Sequence, residues 1–148
     1  MSDADRVSGE LVDGLAQTSF TVIALLTRTA AEHDVSLTQL RALAILRDRE
    51  PTMAQLAEFL GLERSSVSGL MDRAVRRGLV RRTVSADDGR AVHVSLTAAG
   101  HRLAEQVGGE VADLLAPMTS RLSTAEQKRL TTLLVAMLDQ PDGNQRPS

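Results

Sequence analysis

Cysteine is absent from the 148 residues, which excludes a disulfide framework, a thiol redox switch and a thiolate metal site. Aromatic residues are almost absent as well: two Phe, no Trp and no Tyr. A core without rings must be built from Leu, Val, Ala and Met, a set that suits packed helices better than a β-sandwich. Long hydrophobic runs are missing; the most apolar stretch, residues 22–26, falls far short of the roughly 20 residues that span a bilayer. The first residues carry Asp3, Asp5 and Glu10 instead of a basic segment before an apolar one, so no secretory leader and a cytoplasmic location are expected. His33, His93 and His101 have no ligand spacing, so no metal site is expected. No nucleophile–base pairing or Gly-rich phosphate loop occurs, and Asp87-Asp88 reads as a turn rather than as paired catalytic acids. Neither an enzyme nor a cofactor protein is expected.

What is present is an uneven charge. The net formal charge is −2. From Glu63 to Arg102, however, eight arginines face four acids, so this window carries +4 and the remainder −6. A basic block inside an acidic chain marks a local face for a polyanion.

The hydrophobic fraction, 43%, is ordinary for a globular chain, and the periodicity is helical. Val7, Leu11, Leu15, Val22, Leu25 and Leu26 predict a first helix over 7–33, about 40 Å long. Ser36 and Thr38 offer caps for a second over 40–47, which ends at Glu50-Pro51 because proline disfavours helical geometry before it. Thr52 with Gln55 forms a capping box for a third helix, stopped by Gly61. A fourth runs over 64–77 to Gly78. Residues 79–85 and 91–96 read as two strands around an Asp-Gly turn. Thr97 caps a fifth helix over 98–116 ended by Pro117, with Gly108-Gly109 inside it implying either a bend or a close helix crossing. Ser123 with Glu126 opens a sixth helix to about Leu138, and the composition of 140–148 predicts a disordered tail.

Two short helices joined by a Gly turn and followed by a hairpin place one helix in the DNA major groove. The fourth helix separates Val67, Leu70, Met71 and Ala74 from Ser65, Gly69, Asp72 and Arg76, with Ser66, Ser68 and Arg73 flanking. Small residues let the backbone approach the groove floor. Serines can donate to phosphates or base acceptors, and an arginine can contact guanine or grip a phosphate. Asp72 either accepts from a cytosine amino group or bridges to Arg76, and the bridge is preferred. Arg90 at the hairpin tip can enter the minor groove, aimed by Asp88. Of Arg81 and Arg82, strand alternation sends one towards DNA. The expected DNA-binding set is Thr38, Arg64, Ser65, Ser66, Ser68, Gly69, Arg73, Arg76, Arg82, Asp88 and Arg90.

The runs Gly78-Leu79-Val80-Arg81-Arg82, Asp88-Gly89-Arg90 and Leu96-Thr97-Ala98-Ala99-Gly100 resemble the wing signature of the MarR (multiple antibiotic resistance regulator) family, and residues 55–78 resemble its third and recognition helices. The resemblance implies a mainly α fold with a small β-wing: a winged helix-turn-helix over 37–97, flanked by dimerisation helices over 1–36 and 98–139. It further implies a homodimer on duplex DNA, most simply a repressor, and a small phenolic or aromatic acid as effector. For such a ligand the expected residues are Phe20, Ile23, Thr27 and His33, with Arg41 or Arg47 as anion partner. Leu122, Leu130, Leu133, Leu134, Met137 and Leu138 support dimerisation independently, being too apolar for a surface helix. The competing reading is a winged-helix interaction or ligand-binding module that leaves DNA alone.

Overall fold

The computed structural model describes residues 1–85, 87 and 89–139. The element order is α1 (Asp3–Glu32), α2 (Leu37–Asp48), α3 (Met53–Leu60), α4 (Arg64–Arg76), β1 (Val80–Val84), β2 (Val92–Leu96), α5 (Ala98–Thr119) and α6 (Thr124–Leu138). The expected α-α-α-α-β-β-α-α order is therefore observed. Among the described residues, no helix is long and apolar enough to cross a membrane.

Local capping sets most boundaries. Ser2, Ser36, Thr52 and Ser123 each accept from the amide three residues on, at 3.1, 3.1, 3.1 and 3.2 Å. In each case the residue donating that amide returns its side chain to the cap's own backbone N–H. Such a box satisfies two otherwise orphaned donors. The Ser2–Asp5 box starts α1 four residues before the periodicity suggested, and the Ser36–Gln39 box starts α2 at Leu37 instead of residue 40. Thr38 is thus inside the helix and caps nothing. Pro117 does not end α5, which continues to Thr119. A proline in the final turn forfeits one backbone bond while its fixed φ remains helical, and Ser120 still donates to the Ala116 carbonyl at 2.9 Å. The helix also passes unbroken through Gly108-Gly109. An added Cβ would lie 3.8 Å from Arg47 Nη1 at Gly108 and meet nothing within 4 Å at Gly109, so among the described residues of one chain the pair serves no close helix crossing.

Residues Met1–Ala112 form one unit. Its main core joins Leu43 and Leu46 of α2, Leu56 and Leu60 of α3, Val67, Leu70 and Met71 of α4, Val80 and Val94 of the hairpin, and Ala104 of α5. Ala30, Val35, Leu40 and Val107 make a smaller cluster. The hairpin is antiparallel, pairing Val80 with Leu96 and Val84 with Val92. A short bridge between Thr52 and His93, with Val94 N–H donating to the Pro51 carbonyl at 2.9 Å, ties the hairpin to the entrance of α3. His93 Nδ1 lies 3.1 Å from the Glu50 carbonyl, so its ring is satisfied by backbone.

The end of α1 is a six-residue closure in which Val35 N–H reaches the Ala30 carbonyl (3.0 Å) and Asp34 N–H the Ala31 carbonyl (3.1 Å). This geometry needs a left-handed residue, and Asp34 supplies it at φ 56°. A Cβ there is strained where glycine is not. Asp34→Gly should therefore raise stability by about 0.5–1 kcal/mol, after the loss for unfolded-chain entropy. Chemical denaturation checks this, and a destabilised variant would show that the aspartate side chain matters more than its backbone.

The second unit spans Asp113–Ser148. Within it, Gln127 Nε2 of α6 donates to the Thr119 and Leu122 carbonyls at 3.0 and 3.1 Å, closing the turn after α5. None of the α6 residues is buried, although Leu130, Leu133, Leu134, Val135, Met137 and Leu138 belong to it. The expected tail, residues 140–148, lies outside the described residues.

Candidate nucleic-acid interface

Helix α4 divides by face as its sequence demands. Val67, Leu70, Met71 and Ala74 are buried, whereas Arg64, Ser65, Ser66, Ser68, Arg73 and Arg76 are exposed and Gly69 is half-buried. Unlike α1, α2, α3 and α6, α4 has no side-chain cap, since Glu63 at its N-cap makes no such bond. Its first-turn amides therefore point outward without a side-chain acceptor, and helix N-termini favour anions.

Part of the exposed set lines two clefts, while Ser65 and Ser66 line neither. One, of about 560 Å³, is lined by Arg64 and Ser68 of α4, Thr52, Met53 and Ala54 at the start of α3, and Arg90, Ala91 and Val92 of the hairpin. The other, of about 330 Å³, is lined by Arg73, Arg76 and Arg77 together with Asp34 and Gln39. Arg64, Ser68 and Arg90 are thus brought together as the sequence suggests, while Arg73 and Arg76 lie in a separate cleft. Thr52 is an addition: its capping signal was legible, but its place in the cleft depends on the Thr52–His93 bridge.

Arg82, expected to face DNA, binds Asp72 Oδ1 through its Nη2 at 2.6 Å and the Ser68 carbonyl at 3.2 Å, latching β1 to α4 while its side chain stays 32% exposed. Asp72 consequently pairs with Arg82 and not with Arg76. The strand delivers a guanidinium against the helix flank, which a partner one helical turn away cannot match in geometry. Thr38 is half-buried in the first turn of α2, behind the Ser36 cap. Asp88, expected to aim Arg90, lies outside the described residues.

The expected ligand residues are dispersed. Phe20 and Ile23 are 70% and 47% exposed, and Thr27 is exposed. His33 Nε2 meets Glu110 Oε2 at 2.7 Å, and this contact keeps the Glu110 carboxyl below its ordinary range. Arg41 donates to the Phe59 carbonyl at 2.8 Å. Only Arg47 lines an apolar cleft, of about 260 Å³, with Leu26, Leu40, Leu43, Ala44, Ala104, Val107, Gly108 and Val111. Those α5 residues were missed because helical periodicity marks them as core, and only packing shows which core positions leave a gap.

A Gly-punctuated pair of helices, a second helix exposing serine and arginine, and a hairpin carrying Arg90 beside it make this chain a winged helix-turn-helix protein. A sequence model described as MarR family matches residues 33–91. Over that stretch the chain is similar to the MarR family of transcriptional regulators. It is 31% identical over 112 residues to the transcriptional repressor MprA of Escherichia coli, covering 72% of this chain and 64% of that protein. It therefore spans just under two thirds of the curated relative's length. Wild-type MarR of E. coli in its apo form superposes with a TM-score of 0.69 at 28% identity, covering 88% of this chain and 96% of MarR. NadR in complex with 4-hydroxyphenylacetate gives 0.76 at 25% identity, covering 86% and 92%.

Proposed function

We propose that the protein is a sequence-specific duplex-DNA-binding transcriptional repressor, acting as a homodimer whose hold on DNA is relieved by a small aromatic acid. The carrying observation is the cleft in which Arg64, Ser68 and Arg90 converge beside an uncapped helix end. In this reading α4 enters the major groove, Arg64 and the serines face bases and phosphates, and Arg90 reaches the adjacent minor groove. MprA is itself named a transcriptional repressor, which supports the regulatory sense chosen here.

Dimerisation is supported by apolar faces that one chain leaves open: Val7, Leu11 and Val12 on α1, and Leu130, Leu133 and Leu134 on α6. Exposed apolar surface of this kind is characteristic of interfaces. A two-fold dimer presents two reading helices to half-sites about 34–36 Å apart. The effector reading is supported by the cleft with Arg47 at its edge, smaller than the roughly 300–1,000 Å³ of drug-sized sites and so suited to a single-ring acid. NadR's complex with 4-hydroxyphenylacetate supports that ligand class.

The test is selection of bound duplexes from a random pool, repeated with phenolic acids present. Recovery of a pseudo-palindrome is expected; recovery of no duplex at low salt would leave the interaction-module reading in its place. On the selected duplex, Arg90→Ala should weaken binding several-fold and reduce the slope of log K against log salt by about one, the mark of a lost phosphate-side cation. An unchanged slope and affinity would remove Arg90 from the interface.

A further inference from the structure

Three arginines line the second cleft, but they are not equivalent. Arg77 is the C-cap of α4, and its guanidinium forks onto two consecutive carbonyls: Nη1 donates to Asp34 O at 2.9 Å and Nη2 to His33 O at 3.1 Å. Both carbonyls belong to the left-handed turn at Asp34. They sit at the negative end of α1, whose own last turn contains no basic residue. The guanidinium thus meets the C-terminal partial charge of α1, a placement that favours a cation. Its planar fork matches two neighbouring carbonyls, which an ammonium point charge does not. Behind this clamp, His33 is itself anchored by Glu110 of α5 at 2.7 Å, and Gln106 Nε2 holds the other carboxylate oxygen at 3.2 Å. Among the described residues, Arg73 and Arg76 have no ion pair or hydrogen-bonded partner of this kind.

We infer that Arg77 is a positioning residue for DNA reading, fixing the rear of α4 to the end of α1, whereas Arg73 and Arg76 beside it are available to the polyanion. The inference rests on the DNA-binding reading above. Base recognition needs the helix axis held in one orientation, while non-specific attraction to phosphate needs only charge. Loss of the clamp should therefore reduce discrimination more than general affinity.

The measurement compares Arg77→Gln, Arg77→Lys and Arg73→Ala on two probes: a duplex selected by the wild-type protein and a random-sequence duplex. Arg77→Gln should lower affinity for the selected duplex about tenfold, in line with loss of charge-assisted hydrogen bonds. Affinity for the random duplex should stay within about twofold, and the salt slope should be unchanged. Arg77→Lys should fall between Arg77→Gln and wild type on the selected duplex. Arg73→Ala should weaken both duplexes alike and reduce the slope by about one. Amide exchange at residues 30–35 should accelerate in Arg77→Gln and not in Arg73→Ala. Glu110→Ala, which removes no cation, should lower the selected-to-random ratio in the same direction, and it serves if Arg77→Gln does not fold. Equal loss on both duplexes with a reduced slope and unaltered exchange would make Arg77 a phosphate contact and overturn the inference alone. If the wild-type protein itself binds no duplex, the DNA reading fails and takes this inference with it.

Discussion

Gly100→Ala should destabilise the protein by about 3 kcal/mol, lowering the melting temperature by roughly 10 °C. Gly100 lies in the first turn of α5, where an added Cβ would fall 2.0 Å from the Leu79 carbonyl oxygen, 3.0 Å from its carbon and 3.1 Å from Leu96 Cδ2. The obstacle is backbone and cannot rotate away. Leu79 is held from both sides, its N–H on the Ala74 carbonyl at 2.9 Å and its own carbonyl under Thr97 N–H at 3.0 Å. Relief requires α5 to lift from the junction of α4 and β1, the elements that carry Arg76 and Arg82. Helix propensity alone would favour alanine by about 1 kcal/mol, so the steric effect must exceed that gain to show. Gly109→Ala in the same helix has only the propensity gain and should stabilise by about 1 kcal/mol. Thermal unfolding of both variants decides the matter; a Gly100→Ala protein melting within a degree or two of wild type would contradict the close approach.

The other large effect concerns assembly. Leu133→Asp puts a charge in the middle of an apolar α6 face whose residues Leu130 and Leu134 are 43% and 38% exposed in the single chain. A buried carboxylate without a partner is costly enough to separate two copies that meet there. Sedimentation should then report half the wild-type mass. Duplex affinity should fall by at least about 100-fold, because two linked half-site contacts become independent. The residues lining the two clefts are left unchanged by this substitution, so the loss would come from valency. A variant that stays dimeric would move the interface elsewhere, and a monomer with undiminished affinity would sink the two-half-site arrangement.

The His33–Glu110 contact shows what the sequence does not tell about a ligand set. In sequence, His33 is a lone polar residue after an apolar helix, and its neighbour in space is 77 positions away. Phe20 and Ile23, expected to line a ligand site, lie on the exposed side of α1. Arg41 and Arg47 look alike in sequence. Packing gives Arg41 to the end of α3, whereas Arg47 borders the apolar cleft with its guanidinium paired to Asp48 at 3.1 Å.

Whatever depends on neighbours within about four residues could be read from the chain directly: the capping boxes at Thr52 and Ser123, the left-handed stops at Gly61 and Gly78, the division of α4 into a leucine–valine side and a serine–arginine side. Helical and strand periods repeat over such short distances that side-chain type alone assigns each face. Which cation does what was decided only by folding. Arg82 latches a helix, Arg77 clamps a helix end, and Arg64 with Arg90 shares an open cleft, because long guanidiniums take the best acceptor that tertiary packing brings within reach.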